Sequence, residues 1–110
     1  MTDFKTGVNM ELHRQGDILI RRVSALPSKK STKRENGVLV EGEVTGHAHR
    51  LDDLAAAEVL EIENGLYLRV GESGVRIVHE EHAPITLTPG NYQVSRQVEY
   101  TPEAIRNVQD

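Results

Sequence analysis

Glu58-Val59-Leu60-Glu61-Ile62-Glu63-Asn64-Gly65-Leu66-Tyr67-Leu68-Arg69-Val70 reads as two β-strands folded back on each other. Aliphatic and aromatic residues recur at short spacing, and Asn-Gly punctuates the middle of the run. A two-residue turn at Asn64-Gly65 sets Glu61 opposite Leu68 and Ile62 opposite Tyr67. A three-residue loop, Glu63-Asn64-Gly65 with Gly65 left-handed, pairs Ile62 with Leu66 and Leu60 with Leu68, so the apolar faces agree. The three-residue loop is therefore predicted.

Towards the C-terminus, Gly71-Glu72-Ser73-Gly74 makes the next turn. A four-residue loop there pairs Val70 with Val75, Leu68 with Ile77 and Leu66 with His79, which leaves His79 on the core face at its strand's end. Ile85 to Thr88 is a short strand, Pro89-Gly90 a turn, and Asn91 to Tyr100 the last long strand. Arg96 shares the parity of Tyr92, Val94, Val98 and Tyr100, so it needs a carboxylate partner or a position at the end of the fold. Thr101-Pro102-Glu103 has the form of a helix start, and residues 102–110 are expected as a tail or short helix.

Towards the N-terminus, Gly37 opens a strand from Val38 to Thr45 with Val38, Val40 and Val44 facing the core. Uninterrupted alternation then places His47, His49 and Leu51 on the solvent side. A one-residue bulge at Gly46 turns all three inward, and the bulge is predicted there. Gly16-Asp17 opens the strand Ile18 to Val23, which Pro27 closes. Residues 24–36 read as a mobile basic loop, and residues 1–15 as a polar tail with a short strand near its end and His13 as a surface imidazole. About eight short strands within residues 16–101 make this an all-β domain, a small β-barrel or sandwich.

At 110 residues the chain fits one domain. A core with no Trp and a single Phe is modest, and a bound metal or a homo-oligomer is the expected source of further stability. The net charge of −4 gives no general attraction to phosphate backbones. Lys29, Lys30, Lys33 and Arg34 form the one basic concentration; it reads as a solvated loop or as a site for nucleic acid or an acidic partner. No aromatic residue is interleaved to stack on bases, so nucleic acid is not expected. Absence of cysteine excludes disulfides and thiolate chemistry. No apolar run approaches the roughly 20 residues that cross a bilayer, and Met1 to Asn9 lacks an apolar signal core, so a soluble cytoplasmic protein with no membrane contact is expected.

The chemistry concentrates in Gly46-His47-Ala48-His49-Arg50 and His79-Glu80-Glu81-His82, which hold four of the five histidines. Imidazoles at i and i+2 of a strand leave the same face and can chelate one cation. His47, His49, His79 and His82 are the candidate ligands for a divalent transition metal, with Zn, Ni, Fe or Mn all compatible. Glu80 and Glu81 are candidate carboxylate ligands or acceptors that fix an imidazole tautomer. Arg50 is placed to orient an anionic small-molecule ligand, and Tyr92 and Tyr100 to line its pocket. The plainer alternative is polar strand ends satisfied by carbonyls and water. Two clusters, one of them inward by register, favour the metal. His79 to His82 is not the helical HExxH motif, because its spacing is i, i+3 at a strand end.

GEVTGHAHR, VHEEHAPITLTPGNYQV and QVEYTPE resemble a group of small uncharacterised bacterial and prophage-type proteins. The HxH pair, the later histidine and the short strand ending in Pro-Gly are similar to the cupin pattern. That likeness implies a β-barrel holding a metal through His47, His49 and either His79 or His82, in an enzyme or small-molecule sensor. The cupin glutamate has no counterpart within the HxH strand, where Asp52, Asp53 and Glu58 are the nearest acids. Gly16 to Val23, the basic loop, and Gly37-Val38-Leu39-Val40 with Gly42-Glu43-Val44 are similar to the start of the ring-forming co-chaperonins. That second likeness implies an oligomeric adaptor that contacts a partner through the loop.

Overall fold

Period-two alternation places one set of apolar side chains on each strand's inner face. The computed structural model describes residues 11–41 and 46–97. They contain ten strands and no helix: β1 (Leu12–Gln15), β2 (Ile18–Val23), β3 (Ser31–Arg34), β4 (Val38–Glu41), β5 (Ala48–Leu51), β6 (Ala57–Ile62), β7 (Gly65–Val70), β8 (Val75–Val78), β9 (Ile85–Leu87) and β10 (Gly90–Arg96). Six of them form a sheet in the order β1-β2-β10-β7-β6-β3, and four a second sheet in the order β9-β8-β5-β4. Every pairing is antiparallel. Among the described residues neither sheet closes on itself, and the two have the arrangement of a sandwich.

The core lies between the sheets. Ile18, Ile20, Ala57, Val59, Leu68, Val70, Tyr92 and Val94 come from the larger sheet, and Leu39, Leu51, Val75, Ile77 and Leu87 from the smaller. Burying each large aliphatic side chain contributes about 1.5–3 kcal/mol, which offsets the ordering of so many short strands.

The β6–β7 connection differs from the predicted three-residue loop. Ile62 pairs with Gly65, Leu60 with Tyr67 and Val59 with Leu68, so the loop is Glu63-Asn64, with Glu63 at a φ of 55°. The register argument assumed that β6 buries one face. It buries both: Ala57 and Val59 join the core, and Leu60 and Ile62 are buried outside that cluster.

Residues 71–74 do not close a hairpin either. β7 lies between β10 and β6, and β8 belongs to the other sheet, so this turn carries the chain across the sandwich. Gly71 N–H donates to Ala56 O at 2.9 Å and Gly74 N–H to Gly71 O at 3.0 Å. Gly74 has a φ of +72°, and a Cβ there would lie 2.9 Å from Leu87 O, so this corner requires glycine. Val75 and Ile77 still face inward, and His79 keeps their parity.

The short strand expected near the end of residues 1–15 is β1, paired along β2. Two other expectations change. The predicted basic loop contains β3, which pairs with β6 through Lys33↔Leu60 and Arg34↔Val59. The shift in register falls between Val38 and Val40 opposite β5, in place of the bulge predicted at Gly46. Leu39 is consequently the buried residue of β4, and Val38 and Val40 are half-buried. Gly46 instead has a φ of +87° just before β5. Val44, Val98, Tyr100 and the expected C-terminal helix lie outside the described residues.

Candidate metal centre

β5 and β8 are neighbours, with Arg50 opposite Val78 and Leu51 opposite Ile77. This register sets the HxH run of β5 beside the turn that follows β8, so both histidine clusters meet at one end of the smaller sheet. His79 is central. Its ring centroid is 4.4 Å from that of His49, 4.7 Å from His82 and 5.8 Å from His47. Donor atoms of His47, His79 and Glu80 all lie within 4.8 Å of one another. Ligands on ~2.0–2.1 Å arms of a tetrahedral ion are about 3.3–3.4 Å apart, so small side-chain shifts would bring this triad onto one ion.

The four imidazoles are not equivalent. His49 is buried at 2% exposure, on the inward face of β5 with Leu51, as the inward turn of the HxH run requires. His47 and His79 are half-buried, and His82 is exposed above the β1–β2 turn. A Cβ at Gly16, where φ is +60°, would lie 2.6 Å from His82 Nε2. Burial, the neighbouring His79 and more weakly His82 push the His49 pKa down, against an opposing pull from Asp17. His79 Nδ1 accepts the Glu81 N–H at 3.0 Å, which puts the neutral ring's proton on Nε2.

Glu80 accepts the Ala48 N–H at 3.0 Å and pairs with Arg50 Nη1 at 2.7 Å. The Ala48 amide and the Arg50 guanidinium hold its carboxyl down to about 2. Glu80 is thus an ionised donor at neutral pH, and Arg50 is its counter-ion and not a free anchor for an anionic ligand. Glu81 lies 3.5 Å from His47 Nδ1.

The other expected site residues are elsewhere. Tyr92 is fully buried, and its hydroxyl donates to Thr88 O at 2.7 Å and accepts from Arg22 at 2.7 Å. This is the end of β10 opposite Arg96, so Tyr92 does not line the histidine pocket. Arg34 is held by Glu61 at 2.6 Å and by the carbonyls of Val38 and Leu39. Lys33 faces Glu58 at 4.0 Å, and Lys29 and Lys30 are exposed. His13 pairs with Glu11 at 2.6 Å.

Sequence reasoning missed two contributors, Gln15 and Asp17. Gln15 Oε1 lies 2.8 Å from His49 Nδ1, and Asp17 Oδ1 lies 3.4 Å from His49 Nε2. The packing of one sheet on the other brings them there from more than thirty residues away in the chain, and no local spacing announces the contact. Arg96, expected to need a carboxylate, is exposed and finds Asp17 Oδ2 at 2.9 Å.

No helix among the described residues is long and apolar enough to cross a membrane. No curated protein matches the chain, and no solved structure does. One family model matches residues 14–97, a span that holds Gln15, Asp17 and both histidine clusters. On that match the chain belongs to DUF8820, a family described as a domain of unknown function.

Proposed function

We propose that the domain binds a divalent transition metal ion through His47 and His79, with Glu80 as the carboxylate ligand and His49 and His82 packed around them. The observation that carries this reading is the convergence of three donor groups within 4.8 Å. They come from two separate strand ends, and no packing requirement of the core calls for them there. Imidazole and carboxylate donors without thiolate suit Zn, Ni, Fe or Mn. Three protein ligands at a half-buried site leave a coordination position for water or a small molecule, the form that catalytic and sensing ions take. A metal-dependent enzyme or small-molecule sensor of cupin-like type fits this arrangement.

Elemental analysis of protein purified without an affinity tag tests the reading. Stoichiometric metal, lost in His47→Ala and His79→Ala variants that keep the β-sheet circular dichroism, is the expected result. Metal-free protein that takes up none of the four ions on titration would overturn it.

A further inference from the structure

Gln15 is buried at 3% exposure where β1 ends. Its amide nitrogen donates to Ile77 O at 3.0 Å and Ala83 O at 2.8 Å. Both amide hydrogens are therefore spent on backbone carbonyls, which only an NH2 group can satisfy, and the amide oxygen has to be the atom facing His49. An oxygen 2.8 Å from Nδ1 accepts a hydrogen bond, so Nδ1 carries the proton. In the neutral ring Nε2 is then a bare lone pair. That lone pair faces Asp17 Oδ1 at 3.4 Å. Arg96 occupies the other carboxylate oxygen at 2.9 Å. Two acceptors are left face to face, one of them on a buried ring, and a cation between them resolves the contact. Their separation also equals the edge of a tetrahedral shell with ~2.0–2.1 Å arms, about 3.3–3.4 Å.

We propose that Gln15 is a positioning residue that locks His49 as the Nδ1–H tautomer, and that His49 Nε2 and Asp17 Oδ1 thereby form a metal-ligand pair adjoining His47, His79 and Glu80. The pair deepens the metal-binding reading and rests on it, but the tautomer does not. A buried amide that holds a ligating histidine from behind fixes ring orientation and basicity, and its loss typically costs 10–100-fold in metal affinity.

Histidine 15N–1H correlation spectra of the metal-free full chain at pH 7.5 read the tautomer directly. Nδ1 protonated and Nε2 bare in His49 is the expected result; a proton on Nε2 overturns the positioning role. Titration with Zn2+ should then shift the His49 Nε2 resonance. Zn2+ that shifts His47 and His79 and leaves His49 Nε2 unmoved overturns the ligand pair while sparing the metal site. Zn2+ that shifts no histidine, in a chain that also takes up none of the other three ions, overturns the pair together with the metal-binding reading, and leaves the tautomer result standing. Gln15→Met should mix the tautomers and weaken Zn2+ binding at least about tenfold. Should that variant fail to fold, Asp17→Asn, at an exposed side chain, serves in its place. It should weaken Zn2+ binding to a similar extent and keep the tautomer, and unchanged affinity overturns the pair.

Discussion

Glu80 accepts the backbone N–H of Ala48 at 3.0 Å, and through that bond the turn after β8 is tied to the first residue of β5. Ala48 sits between His47 and His49, and Glu80 follows His79. One hydrogen bond therefore sets the spacing of the two histidine runs, and Arg50 holds the same carboxylate from β5 at 2.7 Å.

This tie should weaken in acid. The Glu80 carboxyl is held down to about 2 from an ordinary value of 4.5. A group depressed in the folded state contributes stability above its unfolded pKa and loses it as the pH falls towards its folded pKa. Glu80→Gln should melt at a lower temperature than the parent at pH 7. The gap should close as pH falls from 4.5 to 2. A gap that persists unchanged through that window would refute the tie.

His49 should give a second, separate pH dependence. Burial and the adjacent His79 lower its pKa from 6.5, so the unfolded chain takes up this proton more readily than the folded one. Stability is complete above pH 6.5 and falls as the pH drops below it, levelling off beneath the depressed folded value. Denaturant melts from pH 7.5 to 5 in metal-free protein should follow this slope, and His49→Gln should flatten it. An equal slope in the variant would assign it to other groups.

The outline of this fold is legible in the sequence because alternation is a local signal. Val75, Ile77, Tyr92 and Val94 are buried as their parity requires. Strand partners are another matter. Leu68 was placed opposite Ile77, yet the two lie in different sheets and meet only through the core. A turn of given length can close a hairpin or cross a sandwich, and nothing in Gly71 to Gly74 distinguishes the two. The histidine cluster was found because its members come in pairs close in sequence. Gln15 and Asp17 went unseen because a single amide and a single carboxylate in a tight turn have no pattern to read.

Gly16 should be intolerant of any side chain. Its φ of +60° is the left-handed region, and a Cβ would press on His82 Nε2 at 2.6 Å. Gly16→Ala should cost about 1–2 kcal/mol from the backbone alone, read as a lower denaturation midpoint at unchanged slope. It should also displace the His82 ring, visible as a shifted His82 resonance, because an exposed side chain gives way more cheaply than the β1–β2 turn. A neutral substitution with an unmoved His82 would place this turn in another conformation.

Metal should stabilise the protein by mass action, and the Glu81 amide should report where it binds. Ligation of His79 through Nε2 moves that ring's proton to Nδ1, which then ceases to accept the Glu81 N–H now 3.0 Å away. Zn2+ at about 100 times its dissociation constant adds about 2.7 kcal/mol to unfolding if only the folded state binds it. The melting temperature should rise on loading and return on chelation, with the Glu81 amide resonance moving in step. Affinity should decline in acid, because protons compete with the ion for the imidazole nitrogens. A rise in melting temperature that persists in His79→Ala, or a Glu81 amide indifferent to Zn2+, would show that the ion sits elsewhere on the protein.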